Sequence, residues 1–437
     1  MNHMEIKKIN KTIEDKKIKL GIIGLGYVGL PLAVEFAKAG IETLGFEISK
    51  TKVQNINKGK SYIDDVPTQD VKKLALSDLL KATTKFLKLK KQDCIIICVP
   101  TPLRKSKDPD VSYIITATRE ITKTLRKGQI IIFESTTYPG TTRELVKPIL
   151  EKTGLKAGKD FFLAFSPERV DPGNKIYTIR NTPKVVGGIT SKCTKLATAV
   201  YKLVANKVIP VSNTETAEIV KLMENTFRAI NIAMVNEFAL MCNKLNLDIW
   251  EIIEAASSKP FGFMPFYPGP GIGGHCIPLD PHYLRWKMRA LNFNPRFLEL
   301  AMTINSQMPK YTTDRIAELL NDRKKPLSTS KILLIGLAYK SNITDHRESP
   351  ARDVLTLLEK TGATVDYHDH YIPQAEIDGK KYKSVKLTMP ILRKYDCVAI
   401  MTNHSNVDYK SIVKNSKLIF DARNALKDIK DKKIFKL

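Results

Sequence analysis

A glycine-rich turn lies near the start of the chain, between a short apolar run and a helical pattern. The run IKLGII (18–23) is followed at once by GLGYVG (24–29), and then by PLAVEFAKAG, in which apolar residues recur at helical spacing. A second short apolar run, ETLGFE, ends at Glu47. A strand, a tight turn, a helix and another strand in this order predict a βαβ unit with two parallel strands.

The first half of the chain repeats this alternation of short β-branched runs and helical stretches. Further strand-like runs are CIIICVP (94–100), QIIIFEST (129–136) and KVVGG (184–188). Such runs, separated by helices, are typical of a parallel sheet that is covered by helices on both faces. We therefore expect residues 1–210 to form one doubly wound α/β domain of the Rossmann type.

The middle of the chain has a helical character. From Thr214 to about Ser257 apolar residues repeat at intervals of three and four without proline or glycine, which predicts a helix long enough to join domains. Residues 259–280 are rich in proline and glycine and must form a loop, and helical character returns at about 281–320. We assign residues 211–320 to a central helical domain.

The last third of the chain, after the linker NDRKKPLSTS, resembles the first. Its apolar runs match those of the first half at KILLIGLAYK (331–340), DCVAIMTNH (396–404) and KLIFDARN (417–424). It lacks the second and third glycines of the first turn, so we do not expect it to bind a dinucleotide in the same way. The prediction is an α/β protein with two Rossmann-like, doubly wound parallel-sheet domains, joined by a long central helix and a helical middle domain. The last domain covers residues 321–437.

Length and charge narrow the possible functions. A chain of 437 residues is too long for one compact core and fits two or three domains. The formal net charge of +26 attracts anions such as phosphorylated small molecules, but the excess lysines are scattered in runs that are typical of solvated faces. No helix-turn-helix, zinc-finger or aromatic RNA-binding motif occurs in the sequence, so we predict no nucleic-acid partner.

Cysteine spacing and the N-terminal residues bear on metals, membranes and cellular compartment. The six cysteines form no Cys-x-x-Cys pair and no Cys/His cluster with zinc spacing, so we expect no metal site. The N-terminal segment lacks the apolar core of a signal peptide, and no apolar run approaches the roughly 18 residues that a membrane span needs. We expect a cytoplasmic protein with no membrane partner.

The glycine turn has the spacing of a dinucleotide site. Gly24 allows the tight turn, Gly26 lets a pyrophosphate approach the backbone, and Gly29 lets the helix pack closely on the strand. Glu47, at the end of the second strand, can accept hydrogen bonds from the adenosine ribose and repels a 2′-phosphate. This pattern predicts NAD rather than NADP as the cofactor, and the alternative is a glycine turn in an unrelated βαβ unit.

Three further segments offer candidates for chemistry. Cys276 lies among glycines, next to His275 and near Asp280, where a thiol can act as a nucleophile; a structural cysteine is the alternative. Lys221 and Asn225 share one helix face, which can present a cation and an amide to a substrate or form a solvated stripe. The third candidate is Glu168 in SPERVDPGN. It follows an apolar run, at the end of a strand where open α/β sheets place their ligands, and a surface turn is the alternative.

The motifs together resemble those of a known family. They occur in the order GLGYVGLP (24–31), VPTP (99–102), ESTTYPGTT (134–142), SPERVDPGN (166–174), KLMENTFRAINIAMVNE (221–237), GPGIGGHCIPLDP (269–281) and GLAYKSNITDHRESPA (336–351). This set resembles the UDP-glucose/GDP-mannose dehydrogenases over residues 18–424. SPERVDPGN and the block that ends in HCIPLDP look most like the branch of UDP-N-acetylglucosamine 6-dehydrogenases.

The resemblance implies an NAD-dependent, four-electron oxidation of a nucleotide sugar at C6, with a covalent intermediate on the cysteine. By motif position it implies these catalytic residues: Cys276, Lys221, Asn225, Asp280, Glu168 and Thr136. It places these residues at the cofactor: Gly24, Gly26, Tyr27, Val28, Gly29, Glu47, Lys52, Thr101, Ser135, Thr136 and Arg347. It places these residues at the UDP-sugar substrate: Glu168, Arg169, Lys221, Asn225, Gly273, Lys340 and Arg423.

Within the family, the loop before the cysteine favours a UDP-N-acetylhexosamine over UDP-glucose. UDP-glucose members usually carry an arginine there that reaches a neighbouring subunit's substrate, whereas Trp250 to His275 contains Lys259 as its only cation. We predict UDP-N-acetylglucosamine as the substrate. UDP-N-acetylmannosamine, UDP-N-acetylgalactosamine, UDP-glucose and GDP-mannose stay open.

Two interpretations from other classes also stay open. A non-catalytic nucleotide- or nucleic-acid-binding protein would not need the intact set of Lys221, Asn225, Cys276 and Asp280. A two-electron dehydrogenase of 3-hydroxyacids would not need a nucleophilic cysteine. Whichever interpretation holds, the UDP-sugar dehydrogenase included, the long apolar helix predicts a homodimer or a higher homo-oligomer.

Overall fold

The computed structural model describes residues 3–104, 106–171, 173–174, 176–274 and 277–437. The chain divides into two compact units, Met1–Glu224 with His282–Phe293, and Asn225–Pro281 with Asn294–Leu437. The three-domain division at residues 210 and 320 stays a prediction.

The first unit is built on one eight-stranded sheet. Its strands are β1 Leu20–Ile23, β2 Thr43–Phe46, β3 Leu80–Thr83, β4 Cys94–Ile97, β5 Ile130–Phe133, β6 Phe162–Phe165, β7 Lys184–Gly188 and β8 Val208–Val211. They lie in the order β3-β2-β1-β4-β5-β6-β7-β8. The helices around it are α1 His3–Glu14, α2 Gly29–Lys38, α3 Lys50–Asn57, α4 Thr68–Leu76, α5 Ser112–Thr122, α6 Lys147–Glu151 and α7 Ser191–Tyr201, with a 3-10 turn at Phe86–Lys91 and a π-helical turn at Thr142–Val146.

Both faces of this sheet are buried, which explains the unbroken apolar runs in the sequence. In β5, Ile130 and Ile132 pack into the core on one face, and Ile131 and Phe133 pack into the core on the other. Because side chains alternate across a strand, a sheet that is covered on both sides needs apolar residues at every position. The predicted α/β architecture with a parallel, doubly wound sheet is confirmed.

One pair of strands departs from the parallel pattern. β6 and β7 are antiparallel, with Phe165 opposite Gly187, whereas β7 and β8 are parallel. The described part of the connection 166–183 contains no helix, and a parallel return along a sheet needs a long crossover. The chain therefore runs back beside β6, and Lys184, at the start of β7, lies next to the segment that follows β6.

The long helical stretch in the middle of the chain is two helices rather than one. α8 covers Thr214–Leu245 and α9 covers Ile249–Ser257. Asn246 has a φ of +56°, a left-handed conformation that ends a helix, and the Asp248 carboxylate accepts a hydrogen bond from Trp250 N at 2.9 Å and caps the next helix. The predicted helical character from Thr214 to about Ser257 is confirmed, with an interruption at this turn.

The remaining helical part also consists of two helices, α10 Asp280–Ala290 and α11 Arg296–Asn321. The second unit then forms a smaller parallel sheet from β9 Lys331–Ile335, β10 Thr364–His368, β13 Cys397–Ile400, β14 Ile419–Asp421 and β15 Ile434–Lys436, in the order β10-β9-β13-β14-β15. Its other elements are α12 Pro350–Lys360, the hairpin β11 Gln374–Ile377 and β12 Lys380–Lys383, α13 Met389–Leu392, α14 Tyr409–Asn415 and a 3-10 turn at Leu327–Thr329. Among the described residues, no helix combines the length and apolar character needed to cross a bilayer.

Candidate functional site

The glycine turn of the first unit forms a tight, open-topped cradle between β1 and α2. Gly24 has a φ of +89°, and a Cβ at this position would lie 2.5 Å from the carbonyl oxygen of Cys98. A Cβ on Gly29 would lie 1.8 Å from the carbonyl oxygen of Gly24. A Cβ on Gly26 would meet nothing within 4 Å, so this peptide faces open space where a pyrophosphate can approach. The cradle therefore fits a dinucleotide.

Glu47 is held beside this turn by backbone donors. Its carboxylate accepts hydrogen bonds from Leu25 N at 3.2 Å and from Ser49 N at 3.1 Å, and Lys52 Nζ lies 3.8 Å away. Sequence reasoning missed Tyr62, whose hydroxyl donates to the carbonyl oxygen of Leu25 at 2.6 Å and whose ring lies under the Lys52 ammonium. The structure therefore brings together Glu47 and Lys52, which are predicted to bind the adenosine ribose, and adds the ring of Tyr62 beside them.

The loops after β4 and β5 meet at Thr101 and Thr136. The Thr101 hydroxyl donates to the carbonyl oxygen of Thr136 at 2.7 Å, and the Ser135 hydroxyl donates to the carbonyl oxygen of Ile97 at 3.4 Å. The Tyr283 hydroxyl donates to the carbonyl oxygen of Thr101. The three residues predicted on the cofactor side thus lie at the carboxyl edge of the sheet, where open α/β sheets bind ligands.

Glu168 lies just beyond the end of β6 and is held by three donors. One carboxylate oxygen accepts from the backbone N–H groups of Arg169 and Val170, each at 2.7 Å. The other oxygen pairs with Lys184 Nζ at 3.0 Å. Burial alone would raise the pKa of Glu168, but Lys184 and the Val170 N–H oppose it and lower the pKa to about 2. This carboxylate is ionised at every working pH.

Arg169 ties the same segment to α8. Its guanidinium donates to the Glu224 carboxylate, at 2.5 Å for Nη2 and 3.3 Å for Nε, and Nη1 donates to the carbonyl oxygen of Pro183 at 2.6 Å. These contacts use all three guanidinium nitrogens. The substrate-binding role of Arg169 stays a prediction, and in this structure its contacts are within the protein.

A second buried carboxylate that sequence reasoning missed, Glu218, joins α8 to the loop after β5. It accepts hydrogen bonds from Gly140 N at 2.5 Å, from Thr142 N at 2.9 Å and from the Thr142 hydroxyl at 2.6 Å. Burial raises the pKa of Glu218 to about 7, even though these donors oppose the shift. The helix that begins near Thr142 is therefore anchored by a side chain one turn before Lys221.

Lys221 is a buried ammonium on α8, with 9% of its surface exposed. Within the described part of the chain, no carboxylate lies within ion-pair distance of its Nζ. A buried cation without a counter-charge is costly, and a negatively charged or partly negative oxygen of a ligand would offset that cost.

In the second unit, Asn225 and Asp280 are in contact. The Asn225 side-chain amide donates to the Asp280 carboxylate, and both residues are buried. The sequence separates them by 55 positions, and the structure brings them together. Their catalytic roles stay a prediction. His275 and Cys276 lie outside the described residues, and the nucleophilic role of Cys276 stays a prediction.

The loop before the cysteine packs on the second sheet domain through its glycines. A Cβ on Gly269 would lie 2.4 Å from Arg423 Nη1, and a Cβ on Gly273 would lie 2.6 Å from the Cβ of Tyr339 and 3.0 Å from Pro350. Larger residues at either position would push the loop away. Gly273, predicted at the substrate, is thus also a packing requirement of the loop.

The basic residues predicted to bind the nucleotide differ in their contacts. Arg423 donates from Nε to the carbonyl oxygen of Met401 at 2.9 Å, which leaves its two Nη groups without a hydrogen bond to the described residues. Arg347 forms a two-pronged pair with Asp345, at 2.9 and 2.8 Å. Lys340 lies in the bend after β9. Of the two arginines, Arg423 is better placed to take a phosphate.

The glycine turn of the second half is closed by a carboxylate. Asp369, after β10, accepts from Leu337 N at 2.7 Å, from Ala338 N at 2.9 Å and from Tyr371 N at 2.8 Å, and it pairs with His404 Nε2 at 3.0 Å. Two backbone donors of this turn are thus already hydrogen-bonded, and the expectation that it does not bind a dinucleotide as the first one does stays a prediction.

No group of three or more potential metal ligands (His, Cys, Asp or Glu) occurs among the residues that the structure covers.

Sequence comparison identifies three consecutive parts of one family. Profiles of the UDP-glucose/GDP-mannose dehydrogenase family match residues 18–205 (NAD binding domain), 215–307 (central domain) and 333–428 (UDP binding domain). The chain is 34% identical over 418 residues to a UDP-N-acetyl-D-glucosamine 6-dehydrogenase of Pseudomonas aeruginosa, covering 95% of this chain and 97% of the relative. It is also 34% identical over 417 residues to a UDP-N-acetyl-D-mannosamine dehydrogenase of Pyrococcus horikoshii, covering 94% and 96%.

Solved structures agree with the sequence comparison. The structure of the UDP-D-ManNAc dehydrogenase of Pyrococcus horikoshii matches with a TM-score of 0.87 and 32% identity, over 96% of this chain and 99% of the other. An NDP-N-acetyl-D-galactosaminuronic acid dehydrogenase of Methanosarcina mazei matches with a TM-score of 0.82 and 30% identity, over 99% and 97%. These similarities cover both units of the chain.

Proposed function

This chain belongs to the UDP-glucose/GDP-mannose dehydrogenase family, and we propose that it oxidises the C6 hydroxymethyl group of UDP-N-acetylglucosamine to the carboxylate. It is an NAD-dependent nucleotide-sugar dehydrogenase that acts on UDP-N-acetylhexosamines. The contact between Asn225 and Asp280, which joins two of the distant motifs around the cysteine loop, carries the mechanistic part of the proposal.

The first oxidation converts the alcohol into an aldehyde. A bound NAD+ accepts the hydride in each of the two oxidations. The alcohol proton passes to a water held by Glu168 and Thr136, and the ionised Glu168 carboxylate accepts a hydrogen bond from that water. Lys221 and Asn225 stabilise the negative charge that develops on the C6 oxygen.

The second oxidation uses the thiol of Cys276. Its sulfur attacks the aldehyde carbon to form a thiohemiacetal, which loses a hydride and a proton to become a thioester. Water then hydrolyses the thioester and regenerates the thiol, so that one sugar consumes two NAD+ and one water and releases two NADH. Because the adduct is covalent, the aldehyde cannot leave between the two steps. Asp280, which holds Asn225, assists proton transfer near the thiol and the water.

The nucleotide is held by basic residues of the last sheet domain. The free Nη groups of Arg423 suit a phosphate oxygen pair, and Lys340 supplies a second positive charge. Arg347 contacts either the cofactor or the nucleotide after it exchanges its bond to Asp345. The glycine at position 273 keeps the cysteine loop close to this domain.

UDP-N-acetylmannosamine is the second candidate substrate, since relatives of nearly equal identity carry that name. A panel of nucleotide sugars with NAD+ separates the two when NADH and the sugar product are both quantified. We expect two NADH per uronate, with UDP-N-acetylglucosamine giving the highest kcat/KM. Higher activity on UDP-N-acetylmannosamine would keep the reaction and change the substrate. Folded protein that binds NAD+ but forms no NADH with any sugar would contradict the enzymatic proposal.

We further propose that the chain is a homodimer through α8. An apolar stripe at helical spacing, exposed in the single chain, runs along this helix at Phe227, Met234, Phe238, Met241 and Leu245. A helix stripe can pair with the same stripe of a second copy about a two-fold axis, which buries it on both sides.

Charges on this stripe are expected to separate the two copies. We expect the double variant F238K/M241K to halve the mass measured by light scattering after gel filtration. The matched control is Leu76→Lys, which places a charge on an exposed leucine at the end of α4 and should leave the mass unchanged. A wild-type protein with the mass of one chain would contradict the dimer.

A further inference from the structure

A cluster of ionisable side chains, Glu134, Glu168, Lys184 and Tyr201, is buried at the carboxyl edge of the first sheet. The side chain of Lys184 is 4% exposed, that of Glu134 is 0% exposed and that of Glu168 is 13% exposed. We call this group the Lys184 cluster. Its members come from the loops after β5 and β6, from the start of β7 and from the end of α7.

The ammonium of Lys184 is at the centre of the cluster and is fully used. It pairs with Glu134, with Glu168 at 3.0 Å, and more weakly with the carbonyl oxygen of Pro167 at 3.4 Å. An ammonium has three hydrogens, so no donor is left over. Glu134 is held on its other oxygen by the Tyr201 hydroxyl at 2.5 Å.

Such a cluster is a poor way to stabilise a fold. Removing charges from water costs several kcal/mol per ion, and apolar side chains of similar volume often stabilise a core as well or better. The surrounding core is apolar on both faces of the sheet, so the fold itself provides no reason for two carboxylates and an ammonium at this point. The position of Lys184 and Glu134 beside Glu168 does provide a reason.

The two carboxylates around Lys184 have different protonation behaviour. Burial raises the pKa of Glu134 to about 7, although Lys184 opposes this shift. Burial also tends to raise the pKa of Glu168, but Lys184 and the Val170 N–H outweigh this effect and lower that pKa to about 2. The other titratable or charged groups that face the cluster are Cys98 and Arg169.

The contacts of Glu168 engage both of its carboxylate oxygens. An ionised carboxylate has about four lone-pair sites. Backbone N–H groups of Arg169 and Val170 occupy two on one oxygen, and Lys184 occupies one on the other. With both oxygens held, the carboxylate is fixed in one orientation.

We propose that Lys184 is a positioning residue for the alcohol-oxidation step, which fixes the Glu168 carboxylate in one orientation and one charge state. This inference rests on the proposed function, in which Glu168 holds the water that takes the alcohol proton. Glu134 pairs with Lys184, and the Tyr201 hydroxyl in turn donates a hydrogen bond to Glu134. Lys184 itself does not touch the substrate.

The test compares two variants that differ only at Lys184. Glu134→Gln keeps the pair between Lys184 and Glu168, whereas E134Q/K184M removes the ammonium without leaving a second uncompensated carboxylate. The rate of the first hydride transfer is measured in a single turnover between pH 5 and pH 9. Thermal unfolding with and without NAD+ checks that both variants fold and bind the cofactor.

We expect E134Q to follow the wild-type pH profile and the double variant to gain an acid limb. Without Lys184, burial is the main influence on Glu168 and its protonation moves into the measured range. The rate then falls about tenfold per pH unit below the new midpoint, and about tenfold or more between pH 8 and pH 5.

A double variant whose pH profile matches that of E134Q, even with a uniformly lower rate, would overturn the inference, because a merely structural role lowers the rate at all pH values. If E134Q/K184M does not fold, E134Q/K184Q serves instead, since glutamine keeps a donor without the charge. Failure of the proposed function is distinct: wild-type protein would then form no NADH from any nucleotide sugar.

Discussion

Replacing Cys276 with alanine is expected to abolish uronate formation, with a loss of about a thousandfold or more in the rate of the complete reaction. The Cys276 sulfur keeps the aldehyde bound as a thiohemiacetal, and this adduct is the hydride donor of the second oxidation. Without it, the first oxidation can release at most one NADH per sugar, and no thioester forms for water to hydrolyse. Quantifying NADH and uronate in the same reaction measures both effects.

The matched control for this variant is Cys242→Ala. Cys242 is buried in a cluster with Val235, Ala239 and Ile253 on α8 and α9. It lies 17 residues after Asn225 on the same helix, about 25 Å along its axis. We expect this control to lower the unfolding temperature slightly and to keep two NADH per uronate. A C276A variant with that same stoichiometry and a wild-type rate would contradict the thioester scheme.

A strong preference for NAD+ over NADP+ is the second expected result, at about a hundredfold or more in kcat/KM for the wild-type protein. The Glu47 carboxylate is fixed beside the glycine turn by Leu25 N and Ser49 N, so it cannot swing away from a 2′-phosphate. Two negative charges at contact distance in a partly buried site repel by several kcal/mol. Lys52, 3.8 Å from the carboxylate, offsets only part of this repulsion.

Glu47→Gln should reduce this preference about tenfold or more, because glutamine keeps the size and the acceptor oxygen but removes the charge. Glu42→Gln is the control. Glu42 precedes the same strand at its opposite end, is 64% exposed and pairs with Lys19 at 3.5 Å. We expect E42Q to leave the ratio of kcat/KM for NAD+ to that for NADP+ unchanged. If E47Q and the wild type have equal ratios, Glu47 does not discriminate between the two cofactors at the ribose.

The parts of the fold that could be predicted are those in which neighbouring residues decide the structure. GLGYVG forms its turn because Gly24 adopts a positive φ and Gly29 packs against Gly24, contacts within six residues. The buried strands could be recognised because a sheet covered on both faces requires apolar residues at every position. The end of α8 also had a local signal, in Asn246 and the helix-capping Asp248, but the apolar spacing across it concealed this turn.

The residues of the candidate site also differ in whether the sequence could predict them. Glu47 could be predicted because its distance from the glycine turn is set by one helix and one strand, and the structure places it beside Leu25. The cluster around Lys184 could not, because its partners lie 16 and 50 residues away from it in the sequence. In the sequence, Lys184 is one lysine among many at the start of a strand.

The α/β architecture, the cofactor cradle and the family follow from short segments of the sequence, because the spacing within each segment has its own physical requirement. Which charges face one another depends on the folded chain: the antiparallel turn from β6 to β7 places Lys184 beside Glu168, and the packing of α8 brings Glu224 to Arg169. Buried ion pairs form between elements that are distant in the chain, and their energies depend on distances of a few ångströms and on the absence of water, which no local pattern encodes.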